Sequence, residues 1–404
     1  MELSVVWSAV VNTSYYKSPL QFIASTWLLI SSVLIFAYAL ANPIAEWDML
    51  AYAASAEALD NPDAENIHDT VYSELRARTT DEEFYALTAS NSYRTVMYQD
   101  SNAFYEQLPY YSIRITYNSL LAAMKDLGVS VYDAGYWITA SAFVLALLVL
   151  WGATNDRVHP LIQLLLPIVF YKYTKDLDVV RHMLADSLAA VWVVFMCVAY
   201  MRGSRLLLFL VATSVLVRVD LFIFSSLLLA LMYLTDGKRL FFPLTLCSVF
   251  LVGSFLAIQS WAGSYGWSTL YYFAIISDMS ATHPSVYGDT AFTLKDYLNT
   301  LFVPGRWVSN MFVVTGLFST IILIGWKRIP MNQFNRRVCR ISLVCTLYIA
   351  AHYLIFPQMY LRFFVAQNLV IFTGFAVLCT HCWYAYAEGR DPHPDGHQEL
   401  SHSR

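Results

Sequence analysis

Glu46 and Asp48 flank Trp47 directly after the apolar run 22–41. A carboxylate beside hydrocarbon needs either ready access to water or a task. One that stays ionised at a membrane edge can take a proton from a hydroxyl nucleophile, provided burial and neighbours tune its pKa. Both residues are therefore candidate catalytic groups, with Asp48 first; for Asp48 the structural alternative is capping a helix N-terminus. The cations suggest phosphate as the other half of the chemistry. Lys172, Lys175, Arg181 and His182 crowd one loop, as a phosphate site would require, although Asp176, Asp178 and Asp186 offer them ordinary ion pairing. Arg362 stands between Tyr360 and Phe363, where its planar fork could grip two phosphate oxygens or simply snorkel to an interface. Arg114 and Arg306 are weaker candidates of the same kind. Trp47, Trp267, Tyr110, Tyr111, Tyr271 and Tyr272 could stack on a sugar ring. With 28 Tyr, 25 Phe and 11 Trp in the chain, however, most aromatic residues must belong to membrane-interface belts.

The elements that carry these residues follow from composition. The chain has 404 residues, is 58% hydrophobic and only 13% charged, against roughly 25% charged in soluble domains. An integral membrane protein is implied. A net charge of −4 offers no basic field for phosphate backbones and argues against a nucleic-acid partner. The cysteines (Cys197, Cys247, Cys339, Cys345, Cys379 and Cys382) fall in or beside apolar runs. They read as small buried hydrophobes rather than a disulfide or metal framework, the single C-x-x-C at 379–382 included. The run 22–41 is long enough to cross a bilayer and lacks a small-residue cleavage site, so it reads as a retained first span.

Apolar runs predict eight full spans near 22–42, 132–151, 158–171, 186–201, 240–260, 308–326, 341–356 and 363–384. The run 206–234 differs, because Arg218-Val219-Asp220 interrupts it and basic residues flank both ends. It reads as a pair of short helices that enter and return, with Arg218 and Asp220 neutralising each other at the bend. The positive-inside rule then places both termini in the cytoplasm and the long loops outside. In the first outer loop (43–128), residues 47–59 should lie along the interface as an amphipathic helix. Residues 61–102 should form short water-facing helices, and 115–127 a second juxtamembrane helix. The tail 391–404 should be disordered.

Three stretches carry a family resemblance: Trp47-Asp48-Met49-x-x-Tyr52, Gln107-Leu108-Pro109-Tyr110-Tyr111-Ser112-Ile113-Arg114-x-x-Tyr117 and Tyr360-x-Arg362-Phe363. Together with the acidic opening of a large outer loop and the Arg-x-Asp helix pair, they resemble a bacterial branch of the GT-C glycosyltransferases. That superfamily includes the protein O-mannosyltransferases, the lipid A aminoarabinose transferase and the mycobacterial arabinosyltransferases. The resemblance covers organisation over residues 1–390. It implies Asp48 as catalytic carboxylate, Arg362 with the 172–181 loop as donor-phosphate ligands, and Tyr52 and Tyr360 beside the sugar or acceptor. The chain departs from the pattern by having Glu-Trp-Asp where relatives have adjacent Asp and Glu, and it lacks the large C-terminal soluble domain of oligosaccharyltransferases.

The expectation is an all-α polytopic enzyme of the bacterial inner membrane with a periplasmic active site. It would move one sugar from a polyprenyl-phosphate carrier to a hydroxyl on a protein such as pilin, or on an envelope glycan, with inversion. No cofactor is expected with certainty, a divalent cation being the open alternative, and no metal ligand is assigned. A transporter or flippase of lipid-linked sugars is the rival reading. It would want matched discontinuous helices in two halves, whereas only the 218–220 interruption is present. A non-catalytic assembly subunit would leave Asp48 and the basic loop without a purpose.

Overall fold

The computed structural model describes residues 19–174, 176–277, 280–287, 293–302, 310–328, 331–357 and 360–387. Lys175, Arg306 and the 391–404 tail lie outside the described residues, as does the side chain of Lys172.

Among the described residues every regular element is helical. Pro19–Ala41, Val131–Thr154, Leu240–Trp261, Gln333–Ile355 and Arg362–Tyr384 are long and apolar enough to cross a membrane. The other expected spans are shorter or less apolar. Pro160–Thr174 and Asp186–Arg202 have 15 and 17 residues, and at ~1.5 Å per residue they fall short of the roughly 30 Å hydrocarbon core. Val313–Trp326 is the apolar stretch of the remaining one. Exposed Leu34, Phe209, Phe242 and Val249 mark the outward faces of this bundle, which is where lipid replaces water as the solvent for apolar side chains.

The interrupted run folds as a helix pair. Leu206–Val217 ends where Arg218 turns extended (φ −161°, ψ 128°), and the chain restarts at Leu221 after a tight turn closed by Leu221 N–H donating to Arg218 O. Buried Ser214 and Ser225 hydroxyls join the two helices at 2.7 Å. The second helix runs a few residues past Leu234, and a break at Leu240 (φ −113°, ψ 15°) separates it from the expected span, Leu240–Trp261. Thr235 to Arg239 is polar yet contains no helix breaker stronger than Gly237. The kink falls instead three residues before Pro243, whose ring and missing N–H disrupt the preceding turn.

A second hydrophobic core lies under the 43–128 loop. It draws in Met183, Leu184 and Ala185 together with Tyr271, Phe273, Ala274 and Ile275. Short helices over 64–105 cap themselves with Asp63, Thr80, Asn91 and Asp100, and Thr80 and Glu83 form a complete capping box. The helix Asp48–Glu57 corrects the expectation of an interfacial amphipathic segment, for every residue from Met49 to Ala56 is buried. Five small residues let other helices approach it from all sides, which is the condition for a core helix. Gly135 serves a similar purpose at the junction of the two cores, where a Cβ would lie 2.2 Å from Met183 Cγ.

Candidate functional site

The site forms where helix ends from distant parts of the sequence meet between the two cores. Asp48 and Asp186 are the first residues of their helices, and Asp220 immediately precedes a third. Arg218 follows the last residue of a fourth. Carboxylates at helix N-termini and a cation at a C-terminus are the favourable choices in the helix dipole field. Arg362 arrives on the short turn that opens the last span.

These groups alternate in sign along a chain of contacts. Arg362 Nη2 donates to Asp48 Oδ2 at 2.8 Å and Nη1 to Glu46 Oε2 at 3.2 Å. Its Nε has Asp186 Oδ2 at 3.9 Å and makes no hydrogen bond. Arg218 donates to Asp186 and holds Asp220 Oδ1 at 2.8 Å. Asp220 also accepts from Tyr348 Oη at 3.1 Å and lies 3.6 Å from His352 Nε2. Among the carboxylates and arginines, exposure is lowest in the middle of the chain, at Arg218 and Asp186. The Arg218 and Asp186 side chains are 9% and 6% exposed, whereas Arg362 and Asp48 are each at 22% and Glu46 at 40%. The inner pair is framework, and the outer groups can meet a ligand.

Several partners fix the outer groups. Tyr111 Oη donates to Asp48 Oδ1 at 2.9 Å. Burial pushes the Tyr111 phenol well above its ordinary pKa, with Asp48 adding to the effect, so it stays a donor. Tyr52, pushed up to about 12 by burial, packs edge-on against Tyr111 at 5.2 Å. Arg114 covers both rings at 5.5 and 5.4 Å. His182 Nδ1 stands 3.3 Å from Glu46 Oε2 without hydrogen-bond alignment. Partial burial raises the Glu46 pKa, an effect that Arg362 opposes, while burial and then Arg362 lower that of His182. The backbone holding Glu46 is itself anchored. Ile44 N–H donates to Arg181 O at 2.9 Å, Tyr136 Oη donates to Ile44 O at 3.2 Å, and Arg181 Nε donates to Asn42 O at 2.6 Å.

Of the residues singled out in the sequence, Glu46, Asp48, Arg362, His182, Tyr52, Tyr111 and Arg114 come together here. Tyr360 stands over Arg362, with 5.5 Å between guanidinium and ring. Arg181 is committed to the 42–44 backbone, to Asp178 at 3.6 Å and to the Tyr38 ring, so its position anchors the entry segment rather than the carboxylates. Trp47 is buried among Tyr93, Phe104 and Tyr111, and Tyr110 is stacked on Phe273 at 5.1 Å. Neither ring offers a free face to a sugar in this packing. Trp267 Nε1 donates to Ile355 O at 2.9 Å. Arg218 and Asp220 do pair at the bend as expected, but Asp186 joins them and links them to Arg362. Sequence reasoning took Asp186 only as an ion-pair partner for the loop cations, and it passed over Tyr348 and His352. The available signal was Asp186 opening an apolar segment, the same pattern that marked Asp48. Glu46, Asp48 and Asp186 converge on the Arg362 guanidinium, and among the described residues no group of three or more His, Cys, Asp or Glu side chains is placed to hold a metal ion.

A separate cavity of about 480 Å³ lies on the other side of the 43–49 segment. Pro43, Ala45 and Met49 line it with Arg78, Asp133 and Trp137.

Comparison with protein-family models, curated proteins and solved structures finds no match for this chain. Fold and site define the class directly: a helical membrane protein with an alternating cluster of carboxylates and arginines where its helix ends converge.

Proposed function

We propose that the protein is a GT-C-like glycosyltransferase that moves a sugar from a polyprenyl-phosphate carrier to a hydroxyl acceptor on the periplasmic face. The observation that carries this reading is the contact between Arg362 and the Glu46–Asp48 pair. It joins the candidate phosphate ligand to the candidate proton acceptor in one partly open site.

In this mechanism the acceptor oxygen forms a bond to the anomeric carbon as the bond from that carbon to the phosphate oxygen breaks. Asp48 takes the acceptor's proton, and the electron pair leaves with polyprenyl phosphate. Arg362 stabilises charge growing on the phosphate, which is electrostatic catalysis by a preplaced cation. Tyr111 holds the Asp48 carboxylate in orientation.

The test is release of polyprenyl phosphate from a synthetic polyprenyl-phosphate sugar by purified protein in proteoliposomes, wild type against Asp48→Asn. A wild-type rate above the protein-free control, lost in the variant, supports the reading. Vesicles that translocate the intact lipid-linked sugar without cleaving it would replace it with a flippase.

A further inference from the structure

The three helices that meet at the carboxylate cluster also meet at their opposite ends. Asp186, Asp220 and His352 mark one end. Going roughly 20–30 Å along the same helices at ~1.5 Å per residue leads to Tyr200, Asp236 and Gln333. There the helices enclose a second cavity, of about 370 Å³, which Arg336, Arg337 and Arg340 also line.

This cavity has cations and almost nothing to balance them. Among the described residues no carboxylate pairs with any of the three guanidinium groups, and the one acid lining the cavity, Asp236, accepts from Thr235 Oγ1 at 2.9 Å instead. Arg336 spends its Nε on Met331 O at 2.9 Å, leaving its other nitrogens uncommitted. The three arginines lie near the N-terminal end of Gln333–Ile355. They line one half-open space beside the buried Tyr200, with Arg336 on its exposed side and Arg337 and Arg340 half-buried. Arg337 is seated by the chain itself. Gly203 ends its helix in the left-handed conformation (φ 68°), and a Cβ there would lie 2.3 Å from Arg337 Nη1.

We infer that this cavity binds a phosphoryl anion on the membrane face opposite the carboxylate cluster. Planar guanidinium forks match phosphate oxygens in pairs, and an anion would relieve the mutual repulsion of the arginines. The phosphoryl group can come from an anionic lipid headgroup in the adjoining leaflet or from a soluble phosphate compound. The site is independent of the glycosyltransferase reading.

The experiment measures the thermal midpoint of the full chain in phosphatidylcholine nanodiscs. Phosphatidylglycerol is added to the bilayer in one arm and inorganic phosphate to the buffer in the other. At least one probe should raise the midpoint, and the arm that responds identifies the source. The R337Q/R340Q variant should weaken that response about ten-fold or more in concentration, as expected for loss of charge-assisted contacts. R336K/R337K/R340K keeps the net charge and should show an intermediate response; it also carries the comparison if the glutamine variant fails to fold. No response to either probe in the wild type overturns the proposal, as does a response unchanged in both variants.

Discussion

Arg362 and Asp48 are 314 positions apart in sequence, yet a guanidinium nitrogen of one donates to a carboxylate oxygen of the other at 2.8 Å. The ligand-free contact has a chemical implication. In the proposed reaction a phosphate that recruits Arg362 would compete with Asp48 for it, which would couple donor binding to the strength of the base.

Asp48→Asn keeps the shape of the side chain and its bond from Tyr111 but removes the proton acceptor. Transfer should fall roughly 100-fold or more, the range of general-base catalysis, while donor affinity holds or rises, because the Asp48 charge no longer competes with the phosphate for Arg362. Transfer near the wild-type rate in purified protein would remove Asp48 from the mechanism. Glu46→Gln should cost less, since Glu46 is the more exposed of the pair and lacks a bond from Tyr111.

Arg362→Ala should weaken donor-phosphate binding about ten-fold or more, the equivalent of one charge-assisted contact at ~1.5–3 kcal/mol. It should also lower the thermal midpoint, because Glu46 and Asp48 lose a shared counter-charge. Arg362→Lys restores the charge without the fork. Midpoint recovery without recovery of affinity would show that two-point recognition matters; unchanged affinity in the alanine variant would place the phosphate elsewhere.

Arg218→Ala should be strongly destabilising, by about 3–5 kcal/mol, because it strands the buried Asp186 carboxylate. Removing its two acidic partners as well, as in Arg218→Met with Asp186→Leu and Asp220→Asn, should recover much of that loss. Denaturation of the single and triple variants in detergent decides the matter, and additive losses would mean the three residues are not a coupled cluster.

The pH dependence has two parts of opposite sign. His182 has a lowered pKa in the fold, so its contribution to stability is present above the ordinary histidine value of ~6.5 and is lost as pH falls through the lowered one. Glu46 has a raised pKa, so its ionised form costs stability above that value, and protonation on acidification relieves the cost. His182→Asn should therefore lessen the loss of thermal midpoint on acidification, while Glu46→Gln should deepen it. Identical midpoint-against-pH curves for wild type and both variants would show that neither group is linked to folding.

Asn66 and Ser285 should share a compartment, with Asn332 in the other. Single cysteines at these positions in a Cys-free background should react with an impermeant maleimide in intact spheroplasts at the first two and not at the third. A cysteine at Gln358, outside the described residues, belongs with the first two. Labelling at Asn66 but not Gln358 would separate Asp48 from Arg362 and sink the shared site.

The residues legible in the sequence were those whose charge stood out against apolar neighbours. Glu46, Asp48 and Arg362 are conspicuous because a charge at a span end carries a solvation cost that composition alone reveals. The interruption at Arg218–Asp220 was legible for the same reason. Tyr348 and His352 were not, since a tyrosine and a histidine four residues apart on an apolar helix look like any other amphipathic side chains. Their role depends on Asp220, 128 positions from Tyr348, and no local periodicity encodes that meeting. The burial of Asp48–Glu57 was hidden in another way. Alanines are neutral in an amphipathicity pattern, and only the surrounding helices show that the segment is covered on every side.

The Ile44–His182 pairing is the one β-bridge among the described residues, and its bond from Ile44 N–H to Arg181 O belongs wholly to the main chain. Alanine scanning is blind to it, because every side chain at 44 and 181 except proline preserves the donor and the acceptor. Proline at 44 alone would cut it. Such a change would leave every catalytic side chain in the polypeptide while releasing the hinge that registers Glu46 against His182, so inactivity there would report lost alignment rather than lost chemistry.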